Sequence, residues 1–328
     1  MGIGLFGLAA QGRSPCDGTR SAEATEAGDT RVSEALAGNG TAHAPQPASA
    51  APPQATARSE LHWTFEKGPF GATDVVISLP AVADPARRFP VLVAFHGRGE
   101  SVKGRRRGAR GWLDDYALTR ALERLSSPPL SLEDFEGFVS TERLARLNSG
   151  LIAQPYEGLI VVCPFLPDVL KGEKAFREAE PLTRFVVDVL LPRVYAKTPA
   201  LGTAESTGID GVSLGGRAAL LVGLSRPMAF HSVSGLQAAL DEKELGRLSD
   251  WAVQALQQNP RLELRLLTSD EDYFREVNQH FSKRLSAKGV RHELTEVIGT
   301  HSYRFNRGPA AFEMLLYQNR VLRGFPGP

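Results

Sequence analysis

The feature that most constrains how this chain can fold is the stretch Gly211-Val212-Ser213-Leu214-Gly215, where a serine stands between two glycines. The residues before it predict a short strand, and the residues after it predict a helix. A serine at the apex of a sharp strand-to-helix turn has a strained backbone, and the residues two positions before and after it must be small because they pack very closely. Gly211 and Gly215 meet this requirement. We therefore interpret Ser213 as a nucleophile.

Two backbone amides are candidates for stabilising the oxyanion that forms when a serine attacks a carbonyl group. One belongs to Leu214, at the start of the predicted helix. We assign the other to Arg98, because the buried strand predicted over Pro90–Phe95 ends in a glycine-rich turn upstream of the nucleophile. Gly97 would let this loop turn. The neighbouring His96 could simply fix the loop by hydrogen bonds.

A histidine and a carboxylate follow two later predicted strands. The strand Arg261–Leu267 leads to Asp270 and Asp272, and the strand Arg291–Ile298 leads to His301. The carboxyl ends of parallel strands meet at one edge of a sheet, so we expect these groups to lie near the serine. We interpret His301 as the general base. Spacing leaves both aspartates open as its partner, since either could instead cap the next helix.

Predicted strands and helices alternate from residue 61 onwards. This pattern indicates an α/β fold in which a mostly parallel central sheet is covered by helices on both faces. A long helix is predicted over 182–196, with an interruption near Pro192. The segment from about 101 to 151 reads as an insertion that could cap the cleft, and it begins with a basic cluster between Lys103 and Arg110.

The first 60 residues differ in composition from the rest. Between Ala9 and Glu60 there is no aromatic residue, and Val32 and Leu36 are the only large aliphatic ones. Such a segment buries too little apolar surface to offset its chain entropy, so we predict a disordered tail over 1–60 and a catalytic domain over 61–328. A short apolar start and an Ala/Pro-rich spacer suggest export to the periplasm, a lipid anchor or secretion; the alternative is a cytoplasmic protein.

Composition argues against several classes of protein. A formal net charge of +1 is unlike that of a nucleic-acid-binding protein. No apolar run is long enough to span a membrane. Neither His-Glu-x-x-His nor Cys-x-x-Cys spacing occurs, so we predict no metal and no cofactor. Cys16 lies in the predicted tail and Cys163 in a predicted buried strand, and we expect no disulfide between them.

Residues 61–322 resemble the esterase group of the α/β-hydrolases, which includes enterochelin esterases, feruloyl esterases and esterase D. Four local matches carry the resemblance: His96-Gly97, Gly211–Gly216, Asp272-Tyr273-Phe274 and Gly299–Tyr303. The resemblance implies an α/β-hydrolase fold and favours Asp272 over Asp270, since the acid of that group precedes a residue and then a Leu or Phe. Asp210 and Arg217 depart from the pattern, because that group usually carries small or apolar residues there.

These observations lead to one main hypothesis and three alternatives. The main hypothesis is a serine hydrolase that cleaves a small-molecule carboxylic ester through an acyl-enzyme, using a Ser-His-Asp triad. An acyltransferase or a peptidase would use the same covalent intermediate. A non-catalytic binding protein could also have this fold, because a fold does not by itself establish an activity.

Overall fold

The computed structural model describes residues 58–81, 84–170 and 174–328, and within these ranges eight strands form one sheet. The order across the sheet is β1-β2-β4-β3-β5-β6-β7-β8. The six strands β4-β3-β5-β6-β7-β8 are parallel to one another, whereas β2 runs antiparallel to both β1 and β4. The predicted mostly parallel sheet is confirmed. The bounds are β1 Ser59–Gly68, β2 Gly71–Leu79, β3 Val91–Phe95, β4 Ile160–Pro164, β5 Thr207–Gly211, β6 Ser232–Leu236, β7 Glu263–Glu271 and β8 Glu293–Thr300.

Helices cover both faces of this sheet. The α-helices are α1 Arg98–Ser101, α2 Arg105–Ala109, α3 Leu118–Leu125, α4 Thr141–Ala153, α5 Ala175–Arg184, α6 Leu191–Lys197, α7 Leu214–Ser225, α8 Leu245–Gln258, α9 Arg275–Ala287, α10 Tyr303–Phe305 and α11 Ala311–Val321. Turns of π-helix occupy Gly111–Asp115, Phe185–Leu190 and Asn306–Ala310. Short 3-10 turns occupy Glu133–Phe135, Ala204–Ser206, Pro227–Ala229 and Glu242–Glu244.

Two hydrophobic cores lie on opposite sides of the sheet because successive strand residues point to opposite faces. In β3, Val91 and Val93 enter the core shared with helices α5 to α9. Leu92 of the same strand enters the core shared with α3, α4 and α11. Burial on both faces explains why the central strands are apolar along their whole length. The predicted insertion, 101–151, contributes most of its apolar side chains to the second core.

The helix around Pro192 differs in form from the prediction. The regular α-helix is interrupted just before Pro192, as predicted, but the helical path continues from α5 through the π-helical turn Phe185–Leu190 into α6. The wider turn changes the hydrogen-bond ladder directly before the proline, which has no amide hydrogen to donate. Two of the longer elements were missed, namely β1 and the C-terminal helix α11, together with the short helices α1, α2 and α10. In β1 the alternating, partly buried Leu61, Trp63 and Phe65 were an available signal.

Most of the predicted tail, together with Cys16 and the features that suggest export, lies outside the described residues. The described chain is already in strand β1 from Ser59, just before the predicted boundary at residue 60. All described residues belong to one compact unit. Within them, no helix combines the length and the apolar character needed to cross a bilayer. Cys163 is buried in β4 as a free thiol.

Candidate active site

The turn around Ser213 joins the end of β5 to the start of α7. The backbone of Ser213 has φ +59° and ψ −118°, a conformation that residues other than glycine rarely adopt. A Cβ atom added at Gly215 would lie 2.3 Å from the carbonyl oxygen of Phe95, and one at Gly211 would lie 2.5 Å from the backbone of Gly215. Both contacts are with backbone. Glycine is therefore required at the two positions that the sequence indicated.

A chain of hydrogen bonds connects this serine to a histidine and an aspartate. Ser213 Oγ lies 3.0 Å from His301 Nε2, and His301 Nδ1 lies 2.8 Å from Asp272 Oδ1. Thr268 Oγ1 donates to Asp272 Oδ2 at 2.8 Å, and the amide of Phe274 donates to Oδ1 at 3.0 Å. With Nδ1–H donated to the carboxylate, Nε2 of a neutral imidazole is free to accept the serine proton.

The two aspartates after β7 have different partners. Asp272 is buried, and its carboxylate faces His301. Asp270 is exposed, and its Oδ1 accepts a hydrogen bond from the amide of Gly299 at 2.8 Å. Asp270 therefore links the ends of β7 and β8, whereas Asp272 contacts the imidazole. The spacing of the residues alone could not distinguish these positions.

The two candidate oxyanion amides both stand at the first residue of a helix. Arg98 opens α1 and lines the cleft beside Ser213, and Leu214 opens α7 directly after Ser213. Amides in the first turn of a helix have no carbonyl partner within that helix, so they are available to an anion. The guanidinium of Arg98 points elsewhere and pairs with Asp168 at 2.8 Å.

His96 fixes the turn before α1. Its ring is buried, with Nδ1 2.8 Å from the carbonyl oxygen of Gly97 and Nε2 accepting from the amide of Leu166 at 2.9 Å. Burial lowers the pKa of His96, which favours the neutral ring that these two bonds require. The histidine therefore has the loop-fixing contacts that the sequence offered as its simpler interpretation.

A small cleft of about 200 Å³ opens beside Ser213. The ring of Tyr273 is 72% exposed at its rim and stacks on His301, with 4.2 Å between ring centroids. Among the described residues of segment 101–151, Tyr116 alone lines this cleft, so the role of that segment as a cap stays a prediction. The lining residues are Gly97, Arg98, Gly99, Glu100, Tyr116, Ser213, Tyr273, His301, Ser302, Tyr303 and Asn306.

The basic cluster after α1 is largely paired with carboxylates of its own surroundings. Lys103 lies 2.8 Å from Asp115 and 3.5 Å from Glu100, and Arg105 lies 3.3 Å from Asp74. Arg110 pairs with Asp114 and Glu60. Ion pairs of this kind hold a loop together locally. Arg106 and Arg107 are exposed.

Sequence reasoning missed three residues that border the cleft. Glu100 is a buried carboxylate that accepts hydrogen bonds from the hydroxyl groups of Tyr116 and Tyr303. Tyr116 lies 16 residues and Tyr303 lies 203 residues from Glu100, so the three form no local pattern. The only available signal was Tyr303, which belongs to the Gly-Thr-His-Ser-Tyr turn that resembles the esterase group.

Comparison with protein families matched residues 170–321, somewhat less than half of the chain, to the family described as "Putative esterase". A search of curated proteins found no match.

Solved structures share the fold at low identity. S-formylglutathione hydrolase of Staphylococcus aureus is 14% identical with a TM-score of 0.57, over 80% of this chain and 100% of that one. A ferulic acid esterase is 15% identical with a TM-score of 0.59, over 81% and 98%. The fluorophosphonate-binding serine hydrolase F of S. aureus is 13% identical with a TM-score of 0.56, over 80% and 98%.

These structures establish the α/β-hydrolase fold for this chain, as the sequence predicted. The segment that matches the family model contains Ser213, Asp272 and His301. The match confirms that the chain resembles this esterase group, and it supports the interpretation of the protein as a carboxylic ester hydrolase.

Proposed function

We propose that this protein cleaves its ester through a covalent acyl-enzyme, with Ser213 as nucleophile, His301 as general base and acid, and Asp272 as the group that orients His301. The observation that carries the proposal is the unbroken chain of hydrogen bonds, 3.0 Å from Ser213 to His301 and 2.8 Å from His301 to Asp272. It ends at a serine held in a strained turn, which exposes the hydroxyl to the cleft.

Acylation follows from this arrangement. Ser213 Oγ attacks the ester carbonyl carbon while its proton passes to His301 Nε2, and Asp272 stabilises the imidazolium that results. The carbonyl oxygen becomes an oxyanion, for which the amides of Arg98 and Leu214 are the proposed donors. The bond to the alcohol oxygen then breaks, and Nε2 returns the proton to the leaving alcohol. The acyl group stays on Ser213.

Deacylation repeats these steps with water as nucleophile. His301 Nε2 takes a proton from the water, the hydroxide adds to the acyl carbon, and collapse of the second tetrahedral intermediate frees the acid and returns the proton to Ser213. Throughout, Thr268 and Phe274 hold the carboxylate of Asp272 towards Nδ1. This keeps the imidazole in the tautomer that can accept a proton at Nε2.

Hydrolysis of p-nitrophenyl acetate tests the proposal, with a matched control that the chain itself supplies. Ser282 Oγ also contacts a histidine, His292 Nε2, at 2.7 Å, but that imidazole is oriented by the carbonyl of Val290 and not by a carboxylate. Ser213→Ala should lower kcat by about 10⁴- to 10⁶-fold. Ser282→Ala should leave it within about twofold, since the contact that it removes lies in α9 and not at the cleft.

Rapid mixing adds direct evidence for the intermediate. Nitrophenolate is a good leaving group, so acylation should be faster than hydrolysis of the acyl-enzyme, and the wild type should release a burst of nitrophenolate equal to the concentration of active sites. A Ser213→Ala protein that hydrolysed the ester at the wild-type rate would contradict the proposal.

A further inference from the structure

Glu100 lies beside the cleft with its side chain fully buried. Its Oε2 accepts a hydrogen bond from the hydroxyl of Tyr116, and its Oε1 accepts one from the hydroxyl of Tyr303 at 2.7 Å. Lys103 Nζ is 3.5 Å from Oε1. One carboxylate thus joins two tyrosines, of which Tyr303 is 203 residues away along the chain.

Each tyrosine leads to a different part of the candidate active site. The hydroxyl oxygen of Tyr116 also accepts a hydrogen bond, at 3.1 Å, from the amide of Gly97, which immediately precedes Arg98. Tyr303 follows His301 by two residues and opens α10. Glu100 therefore connects the turn that carries one proposed oxyanion donor to the loop that carries the proposed base.

The network also borders the nucleophile. A Cβ atom added at Gly97 would lie 3.6 Å from both Glu100 Oε2 and Ser213 Cβ. A negative charge so near a developing oxyanion opposes its formation, so electrostatics gives no reason for a carboxylate here. What a carboxylate does provide is two acceptor atoms fixed in one plane. Burial raises the pKa of both Tyr116 and Tyr303, which keeps the two hydroxyl groups protonated as donors.

We propose that Glu100 is a positioning residue for the reaction. Through Tyr116 it fixes the Gly97–Arg98 turn where the amide of Arg98 can meet the oxyanion, and through Tyr303 it ties this turn to the loop of His301. The inference rests on the proposed acyl-enzyme function. A displacement of about 1 Å in such a group costs roughly 100-fold in rate, so loss of the link should appear in kcat.

Steady-state kinetics of Glu100→Gln and Tyr303→Phe test this role on two p-nitrophenyl esters that differ in acyl length. Gln has nearly the same shape, but its amide nitrogen cannot accept, so one tyrosine loses its acceptor. We expect kcat to fall by about 10- to 100-fold in each variant while KM stays within about twofold. Tyr195→Phe is the matched control, and its kcat should not change. The hydroxyl of Tyr195 contacts Thr207 at 2.7 Å, and neither residue lines the cleft.

The double variant separates a shared link from two independent effects. Glu100→Gln combined with Tyr303→Phe should be no slower than the slower single variant, since both changes break the same connection. Tyr303 is 41% exposed, so Tyr303→Phe should keep the fold even if Glu100→Gln does not. Thermal unfolding of each variant monitors this.

Any of three results would overturn the positioning role. A raised KM with unchanged kcat would make Glu100 a substrate contact. The other two results are multiplicative effects on kcat in the double variant and wild-type kcat in both single variants. The proposed function fails by a different observation. It fails if a fluorophosphonate does not label wild-type Ser213, whereas labelled wild type with unchanged Glu100→Gln kinetics removes only the positioning role.

Discussion

Two neighbouring turns, named here after their proposed roles, are fixed in different ways: the nucleophile turn at Ser213 and the oxyanion turn at Gly97–Arg98. The first is determined by its own sequence. Gly211 and Gly215 lack a Cβ atom, and neighbouring backbone atoms occupy the space that this atom would need. The second is held by long-range hydrogen bonds, namely that of His96 with Leu166 and those that join Gly97 to Tyr116, Glu100 and Tyr303. Steric exclusion therefore fixes one turn and long-range hydrogen bonds fix the other.

This difference determines what each turn can tolerate. The nucleophile turn has no room for an added atom, and the surrounding atoms are backbone that cannot move aside. The oxyanion turn depends on acceptors and donors that must all be present, since a buried polar group without a partner costs about 1–3 kcal/mol. Adding an atom should therefore damage the first turn, and removing a hydrogen-bonding group should damage the second.

Within this comparison, the largest effect is expected at the contact of Asp272 with His301, which sets the tautomer of the proposed base. Asp272→Asn should lower kcat by about 10⁴-fold, because an amide can donate to Nδ1 of His301 and so leave the proton on Nε2. Asp270→Asn is the control and should stay within about threefold, since Asn keeps an acceptor for the amide of Gly299. Steady-state hydrolysis of a p-nitrophenyl ester measures both. A larger loss of kcat in Asp270→Asn than in Asp272→Asn would make Asp270 the partner of His301.

A somewhat smaller effect should follow from adding one carbon atom to the nucleophile turn. In Gly215→Ala the new Cβ would lie 2.3 Å from the carbonyl oxygen of Phe95 and 2.6 Å from that of His96, so the backbone must shift. We expect the free energy of unfolding to fall by about 2–3 kcal/mol. Urea denaturation measures this change.

Gly246→Ala is the matched control for the added carbon atom. Gly246 lies in α8 with nothing within 4 Å of an added Cβ, and alanine there should stabilise the protein by about 0.5–1 kcal/mol. Equal stability of the two alanine variants would show that the nucleophile turn is not fixed by steric exclusion.

The smallest effect concerns Asp210, a fully buried carboxyl in β5 directly before the nucleophile turn. Burial raises its pKa to about 6, whereas an unfolded chain has a value of about 3.9. The native state therefore holds this proton more tightly, and the free energy of unfolding should decrease as the pH rises from about 4 to about 6 and then level off. This contribution amounts to about 2 kcal/mol.

Asp210→Asn should remove that decrease. The side-chain amide of Gln318 donates to Asp210 at 3.1 Å, and Gln318 Oε1 has no hydrogen-bond partner among the described residues. Reversal of the Gln318 amide would let it accept from Asn. Urea denaturation between pH 4 and 7 should give a flatter profile for the variant than for the wild type. The same slope in both proteins would mean that Asp210 is not the group responsible.

Sequence-based prediction succeeded where local interactions fix the structure and failed where long-range hydrogen bonds fix it. The apolar strands β2 to β8 and the turn at Ser213 were predictable, because strand burial and glycine spacing are local signals. The choice of Asp272 came from the resemblance to a known group, and its contact with His301 could not follow from spacing because Asp270 lies two residues away. Glu100 gave no local signal, since its partners Tyr116 and Tyr303 come from separate parts of the chain.

Reaction with a fluorophosphonate, followed by peptide mapping, tests the central claim most directly. Only a serine activated by a base reacts readily, so the wild type should gain one phosphonyl group, located on Ser213. Ser213→Ala should gain none, and His301→Ala should react far more slowly because the serine has lost its proton acceptor. Labelling at a different residue, or labelling of Ser213 that does not depend on His301, would contradict the account.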